Sequence, residues 1–204
     1  MMTESLNCNI VLLPRGDLAG KAIAISHSLE SEGVYFTLED GVLYPHLSLY
    51  MFELKLANVD AISDILKRLA ARYSEFNLEA HRYGQYAGYI EAEYLRTSML
   101  DTLQDEVIAT VNPLRNGLRQ KDVERMERAE GLELENFQKY GYPYAYALFR
   151  PHITFTRFLT SDTRPTDGLL PISELDGSFD RIALCAGSDN GTCVRVIKEY
   201  ELYK

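Results

Sequence analysis

The chain carries little that could staple it, anchor it or load it with a cofactor. Its three cysteines, Cys8, Cys185 and Cys193, are too few to staple 204 residues and lack metal-site spacing. Cys185 and Cys193 fall on neighbouring predicted strands, which leaves a cross-strand disulfide open without indicating one. No apolar run approaches the roughly 20 residues that a membrane-spanning helix needs. Met1 to Asn9 holds a glutamate and no basic segment, which argues against a secretory signal, so a reducing cytoplasm and no membrane are expected. There is no His-x-x-His, no cysteine pair and no His-Glu helix motif, so no metal is expected. A phosphate-binding glycine loop and a dinucleotide fingerprint are missing too, and the expected cofactor is none. Positive charge is also short, with 21 Lys and Arg against 30 Asp and Glu and a formal charge of −9. Long nucleic acid, whose binding depends on neutralising many phosphates, is a poor partner for such a surface. A small anion in a locally positive cleft remains compatible with it.

Against these absences stand two matching stretches, Tyr44-Pro45-His46-Leu47-Ser48-Leu49-Tyr50 and Phe149-Arg150-Pro151-His152-Ile153-Thr154-Phe155-Thr156. Each reads proline, histidine, apolar residue, hydroxyl, large apolar residue. On a strand, alternate side chains share a face. His46, Ser48 and Tyr50 then face one way and Leu47, Leu49 and Met51 the other. His152, Thr154 and Thr156 oppose Ile153 and Phe155 in the same manner.

Periodicity orders the rest. Asn9 to Pro14 reads as a buried strand, and Asp17 as the cap of a helix bearing Leu18, Ala22, Ile25 and Leu29 and ended by Gly33. Val34 to Leu38 reads as a strand, Glu39-Asp40-Gly41 as a turn, and 42–52 as the first motif strand. A helix begins at Asn58 or Asp60, two strands cover 76–82 and 86–93 with a break near Gly84, and a long helix ends at Pro113. The segment 112–121, with Pro, Gly, Arg115, Arg119 and Lys121, reads as a crossing or mobile loop. A charged helix is predicted over 122–140, and Tyr140, Tyr142, Tyr144 and Tyr146 then form a strand or an aromatic loop over a cleft. The second motif strand, 151–157, and a hairpin of 177–186 with 192–203 complete the chain. His27 and His81 lie on polar faces and are not placed in a site. This order predicts an α+β protein: one bilobal domain over 1–204, with two pseudo-symmetric lobes, each a small antiparallel or mixed sheet with helices outside. The motif strands would lie in opposite lobes facing a central groove.

Two histidines in one groove could supply a general base and a general acid near neutral pH. Ser48 and Thr154 could donate to the non-bridging oxygens of a phosphoryl group between them, and a phosphodiester suits this equipment. Ser48 as an acylating nucleophile is disfavoured, since it lies inside a strand and not at a strand-to-helix elbow.

With its two His-x-Ser/Thr motifs, His46-Leu47-Ser48-Leu49 and His152-Ile153-Thr154-Phe155, 106 positions apart, the chain resembles the two-histidine phosphoesterase superfamily. That group includes 2′-5′ RNA ligase-like proteins and cyclic nucleotide phosphodiesterases, and the likeness runs from about Asn9 to Tyr203. It implies the 2′-5′ RNA ligase-like fold and metal-independent chemistry at a 2′,3′-cyclic phosphate or a 2′-5′ linkage. His46 and His152 would be the catalytic acid/base pair, and Ser48 and Thr154 the phosphate-binding hydroxyls. Ser48 stands where threonine is commoner; it keeps the hydroxyl and loses a methyl. The acidic composition favours a small phosphodiester or short RNA end. Tyr44, Tyr50, Tyr142, Tyr144 and Tyr146 are candidate groove or stacking residues, and Arg150 and Arg157 are candidate phosphate contacts. Arg115 and Arg119 are further groove cations. The competing readings are a non-catalytic nucleotide- or phosphate-binding module of the same fold and a two-lobed structural or regulatory protein.

Overall fold

The computed structural model describes residues 5–203; the first four residues of the stretch read against a secretory signal lie outside them. Eight strands form one antiparallel sheet: β1 (Ser5–Pro14), β2 (Leu47–Lys55), β3 (Phe76–Leu78), β4 (Ala80–Tyr86), β5 (Tyr89–Tyr94), β6 (His152–Arg157), β7 (Gly177–Gly187) and β8 (Cys193–Glu201). Their order is β3-β7-β1-β2-β6-β5-β4, with β8 also on β7. Between β2 and β6 the only paired residues are Leu47 and Ile153. The sheet is therefore two halves joined at one point, and each half carries one motif strand.

Three helices cover the apolar side: α1 (Asp17–Ser28), α2 (Val59–Ala70) and α3 (Ser98–Val111). Their inner residues share one core with Leu47, Leu49, Ile153 and Phe155, all fully buried. The halves are interlocked through these helices. Helix α1 follows β1 yet packs on β6, where Ser26 Oγ donates to the Phe155 carbonyl at 2.7 Å. Helix α3 follows β5 yet packs on β2, where Gln104 Nε2 donates to the Leu49 carbonyl at 3.1 Å. Two short helices, α4 (Gln120–Met126) and α5 (Gly131–Tyr140), stand together against each other.

Several local expectations are corrected. Both motif strands start later than their apolar runs suggest, because Pro45 and Pro151 lack the N–H that a ladder needs. Val34 to Leu38 is not a strand but makes one bridge, Val34 with Phe158. Its backbone is satisfied by side chains instead: Ser26 Oγ accepts from Leu38 N, and Thr156 Oγ1 donates to the Phe36 carbonyl. Helix α1 is capped by Gly16, and Asp17 is its first residue, paired with Lys21. The break between β4 and β5 falls at Ala87-Gly88, not Gly84, which sits within β4 where any side chain would strike the Glu93 carboxylate. The charged helix is split at 127–130, and the tyrosine run is a loop and not a strand. All three cysteines are free thiols.

Candidate active site

Because Leu47 pairs with Ile153 in antiparallel register, His46 falls opposite Thr154 and Ser48 opposite His152. All four side chains line one cleft of about 620 Å³. A pseudo-twofold axis thus runs through the pair that joins the two half-sheets. Both imidazoles are held alike. His46 Nδ1 donates to the Tyr44 carbonyl at 2.8 Å, and His152 Nδ1 donates to the Arg150 carbonyl at 2.7 Å. With Nδ1 so engaged, Nε2 of each ring is the nitrogen left for a ligand.

The strict alternation read from the sequence fails just past the hydroxyls, in both copies. In β2 the register against β1 slips, with Ile10 opposite Tyr50 but Val11 opposite Ser48. In β6 it slips against β5, with Ile90 opposite Thr156 but Glu91 opposite Thr154. Leu49 and Phe155 are the extra residues of two β-bulges, and a bulge reverses the facing of everything after it. Tyr50 and Thr156 are therefore turned away into the protein, while Met51 and Arg157 take the cleft positions. Tyr50 is fully buried, stacks on Phe52 at 5.0 Å and donates from its hydroxyl to the Tyr140 carbonyl at 2.7 Å. It is a core residue and not a groove residue. Tyr44 does not line the cleft either; it packs on the small cluster of Val11, Leu13, Ala183, Cys185 and Cys193, and only its carbonyl serves the site.

The two copies differ in their surroundings. His46 is 8% exposed with no carboxylate beside it, and burial pushes its pKa down to about 4, with the charge of His152 adding to the effect against the Tyr44 carbonyl. The Gly191 backbone also faces the ring and opposes the shift, and burial outweighs both to leave the ring neutral. His152 Nε2 lies 3.4 Å from Oε2 of buried Glu91. The other oxygen of Glu91 is 2.5 Å from Arg150 Nη1, which also reaches Glu93 at 3.0 Å. Arg150 lines the cleft, but two carboxylates already share its charge. Ser48 Oγ accepts from Nδ2 of buried Asn9 at 2.8 Å, which leaves its hydrogen to point at a ligand.

Arg157 also lines the cleft, its guanidinium 4.9 Å from the ring centre of Tyr35 and 5.0 Å from that of Tyr89. Tyr144 lines it with Arg125 5.8 Å from its ring centre. Arg119 is there too, held at 2.5 Å by fully buried Asp122, whereas Arg115 is not: it serves the Gly117 carbonyl and Asn112. Sequence reasoning did not place Glu91, Lys121, Arg125 and Arg128 at the site, yet they line the same cleft. The signal for the last three was the run of basic residues at 119, 121, 125 and 128, spaced to share one side of a short helix. The lining comprises six Lys and Arg against three Asp and Glu, a local reversal of the acidic surface. Among the described residues no group of three or more His, Cys, Asp or Glu is arranged to hold a metal ion, and no helix is long and apolar enough to cross a membrane.

This interlocked α+β sheet, with paired His-x-hydroxyl strands at its junction, has the fold of LigT. E. coli LigT in its apo form superimposes with a TM-score of 0.62 at 16% identity, over 98% of this chain and 99% of that one. LigT complexed with 3′-AMP gives 0.61 at 16%, over 98% and 100%. TT0787 of Thermus thermophilus gives 0.58 at 15%, over 97% and 98%. By sequence, the chain belongs to the family described as "Protein of unknown function (DUF1045)", which it matches over residues 52–170. That span contains the second motif strand and leaves His46 and Ser48 outside it. No curated protein matches the sequence.

Proposed function

We propose that this chain is a metal-independent phosphoesterase, a single bilobal unit acting on a 2′,3′-cyclic phosphate or 2′-5′ phosphodiester of a nucleotide or short RNA end. The observation that carries the reading is the quartet of His46, Ser48, His152 and Thr154 around the Leu47–Ile153 pair, inside a cleft rich in cations. The two hydroxyls donate to the non-bridging oxygens and centre the phosphorus between the rings. His46, kept neutral by burial, takes the proton of the attacking water or hydroxyl. His152, whose Nε2 proton has Glu91 to face, gives one to the leaving oxygen. Each transfer contributes on the order of a hundredfold to ten-thousandfold. Arg157 adds positive charge to the same cleft, and Tyr144 offers a face to the base or sugar. The capture of LigT, which has this fold, with phosphate and with 3′-AMP supports a ligand of this size.

The test is a panel of 2′,3′-cyclic nucleotides and cyclic-phosphate-ended short RNAs followed by ³¹P NMR. Wild type is compared with His46→Ala and His152→Ala, with and without chelator. Chelator-resistant turnover lost in both variants is expected, and the product reports which P–O bond breaks. A strict metal requirement, or turnover indifferent to both substitutions, would overturn the reading. Saturable binding without turnover would make the chain a binding module instead.

A further inference from the structure

The cations of the cleft are not equally available. Arg119 and Arg125 share Asp122, Arg150 is shared by Glu91 and Glu93, and Arg128 lies 3.8 Å from Glu124. Lys121 and Arg157 remain, and among the described residues neither has a carboxylate within ion-pair distance. Both reach the same short turn between β7 and β8. Lys121 Nζ donates to the Asp189 carbonyl at 3.0 Å, and Arg157 Nη1 donates to Asn190 Oδ1 at 3.2 Å. Asp189, the one acid of that turn, offers Lys121 its carbonyl and makes no ion pair with it. Arg157 Nε is buried without a partner. Burial, with Arg119 and Arg125 close by, pushes Lys121 down to about 8 against the pull of Asp122 and Asp189.

We infer that Lys121 and Arg157, with the 188–191 turn between them, form a second anion subsite, and that the substrate is a phosphodiester carrying a further phosphate, as in a 5′-phosphorylated nucleoside 2′,3′-cyclic phosphate. The inference rests on the phosphoesterase reading for the first phosphate and extends it. Arg157 lies three residues beyond Thr154 along β6, roughly 10 Å at the rise of a strand, so its backbone is well away from the reacting centre. A reacting diester brings one negative charge, which is too little for two unpaired cations. A second phosphate on the same molecule completes the match, and a plain nucleoside cyclic phosphate leaves it unmet.

Calorimetry of adenosine 3′-monophosphate against adenosine 3′,5′-bisphosphate tests the subsite without requiring turnover. In wild type the extra phosphate should tighten binding about tenfold, the scale of one charge-assisted contact. Lys121→Gln should remove most of that advantage and leave the monophosphate unchanged, and Lys121→Arg should keep it. In kinetics the same advantage should appear as a lower KM for 5′-phosphorylated 2′,3′-cyclic AMP than for 2′,3′-cyclic AMP. Equal affinity for the two probes in wild type, or an advantage that survives Lys121→Gln, overturns the subsite. A Lys121-dependent advantage with no turnover of either substrate supports the subsite while sinking the catalytic reading. Turnover with no advantage does the reverse.

Discussion

The strand beginning at His46 and the strand beginning at His152 share a preceding proline, a hydroxyl two residues on and a bulge directly after it. Their backbones solve one problem twice: present a ring and a hydroxyl together, then turn the chain back into the core. Their neighbours are unlike. The first copy is buried and free of carboxylate, with Asn9 holding Ser48 and Met51 in the cleft. The second faces Glu91, draws Arg150 beside it and puts Arg157 where the first has Met51. A symmetrical scaffold has thus been given a direction. In the proposed reaction, in-line displacement at phosphorus has two different sides, one losing a proton and one gaining it. A site with two equivalent rings would have no preference between them.

The harshest way to break the comparison is to delete each ring. His46→Ala and His152→Ala should each lower kcat/KM for a cyclic phosphate by about a hundredfold to ten-thousandfold. Their pH profiles should differ, since each variant loses a different limb. If one substitution is silent, the second ring is scaffold and the directionality argument collapses.

Next comes the burial of His46. Its folded pKa of about 4 lies below the ordinary 6.5, so the unfolded chain takes up the proton first as pH falls. The stabilisation is fully present above pH 6.5 and is lost as pH drops through 4, for a total of about 3 kcal/mol at 1.36 kcal/mol per unit. Urea midpoints at pH 7 and pH 4.5 should therefore separate more for wild type than for His46→Gln. An identical separation in both would show that the first ring is not held neutral by burial.

Glu91→Gln addresses the second copy. It removes the carboxylate 3.4 Å from His152 Nε2 while Arg150 keeps Glu93. A fall in kcat on the order of tenfold, with KM little changed, is expected from the loss of one charged contact. A rise in KM alone would mean that Glu91 positions substrate and not the ring.

The sequence carried much of this plan. The two Pro-His-x-hydroxyl stretches, the helical spacing of Leu103, Val107 and Val111 and the Gly187–Gly191 turn are local signals, and local signals survive without a partner strand. The bulges are not local. Nothing in Leu49 or Phe155 announces an extra residue; it exists only against the registers of β1 and β5. That is why alternation puts Tyr50 and Thr156 on the wrong face and misses Met51. Glu91 is hidden for a related reason, since an acid on an alternating strand reads as solvated until the neighbouring strand covers it. The basic residues from Arg119 to Arg128 are visible as a change of texture, but their convergence on the cleft depends on how α4 docks.

The smallest effect sharpens the point about facing. Tyr50 is a groove residue by alternation and a core residue by structure, and the two placements make opposite predictions for Tyr50→Phe. A phenol in the groove would touch substrate and no buried acceptor, so its loss would move KM and spare stability. In the observed placement the hydroxyl donates its one hydrogen to the Tyr140 carbonyl, with Asn112 Oδ1 3.0 Å away, pinning the end of α5 to β2. Removing it leaves a buried carbonyl short of its donor, which should cost about 1–2 kcal/mol in urea unfolding. The ring, its stack on Phe52 and the bulge all remain, so kcat and KM should stay within about twofold of wild type. A shift in KM at unchanged stability would return Tyr50 to the cleft, and with it the unbroken alternation that the first bulge denies.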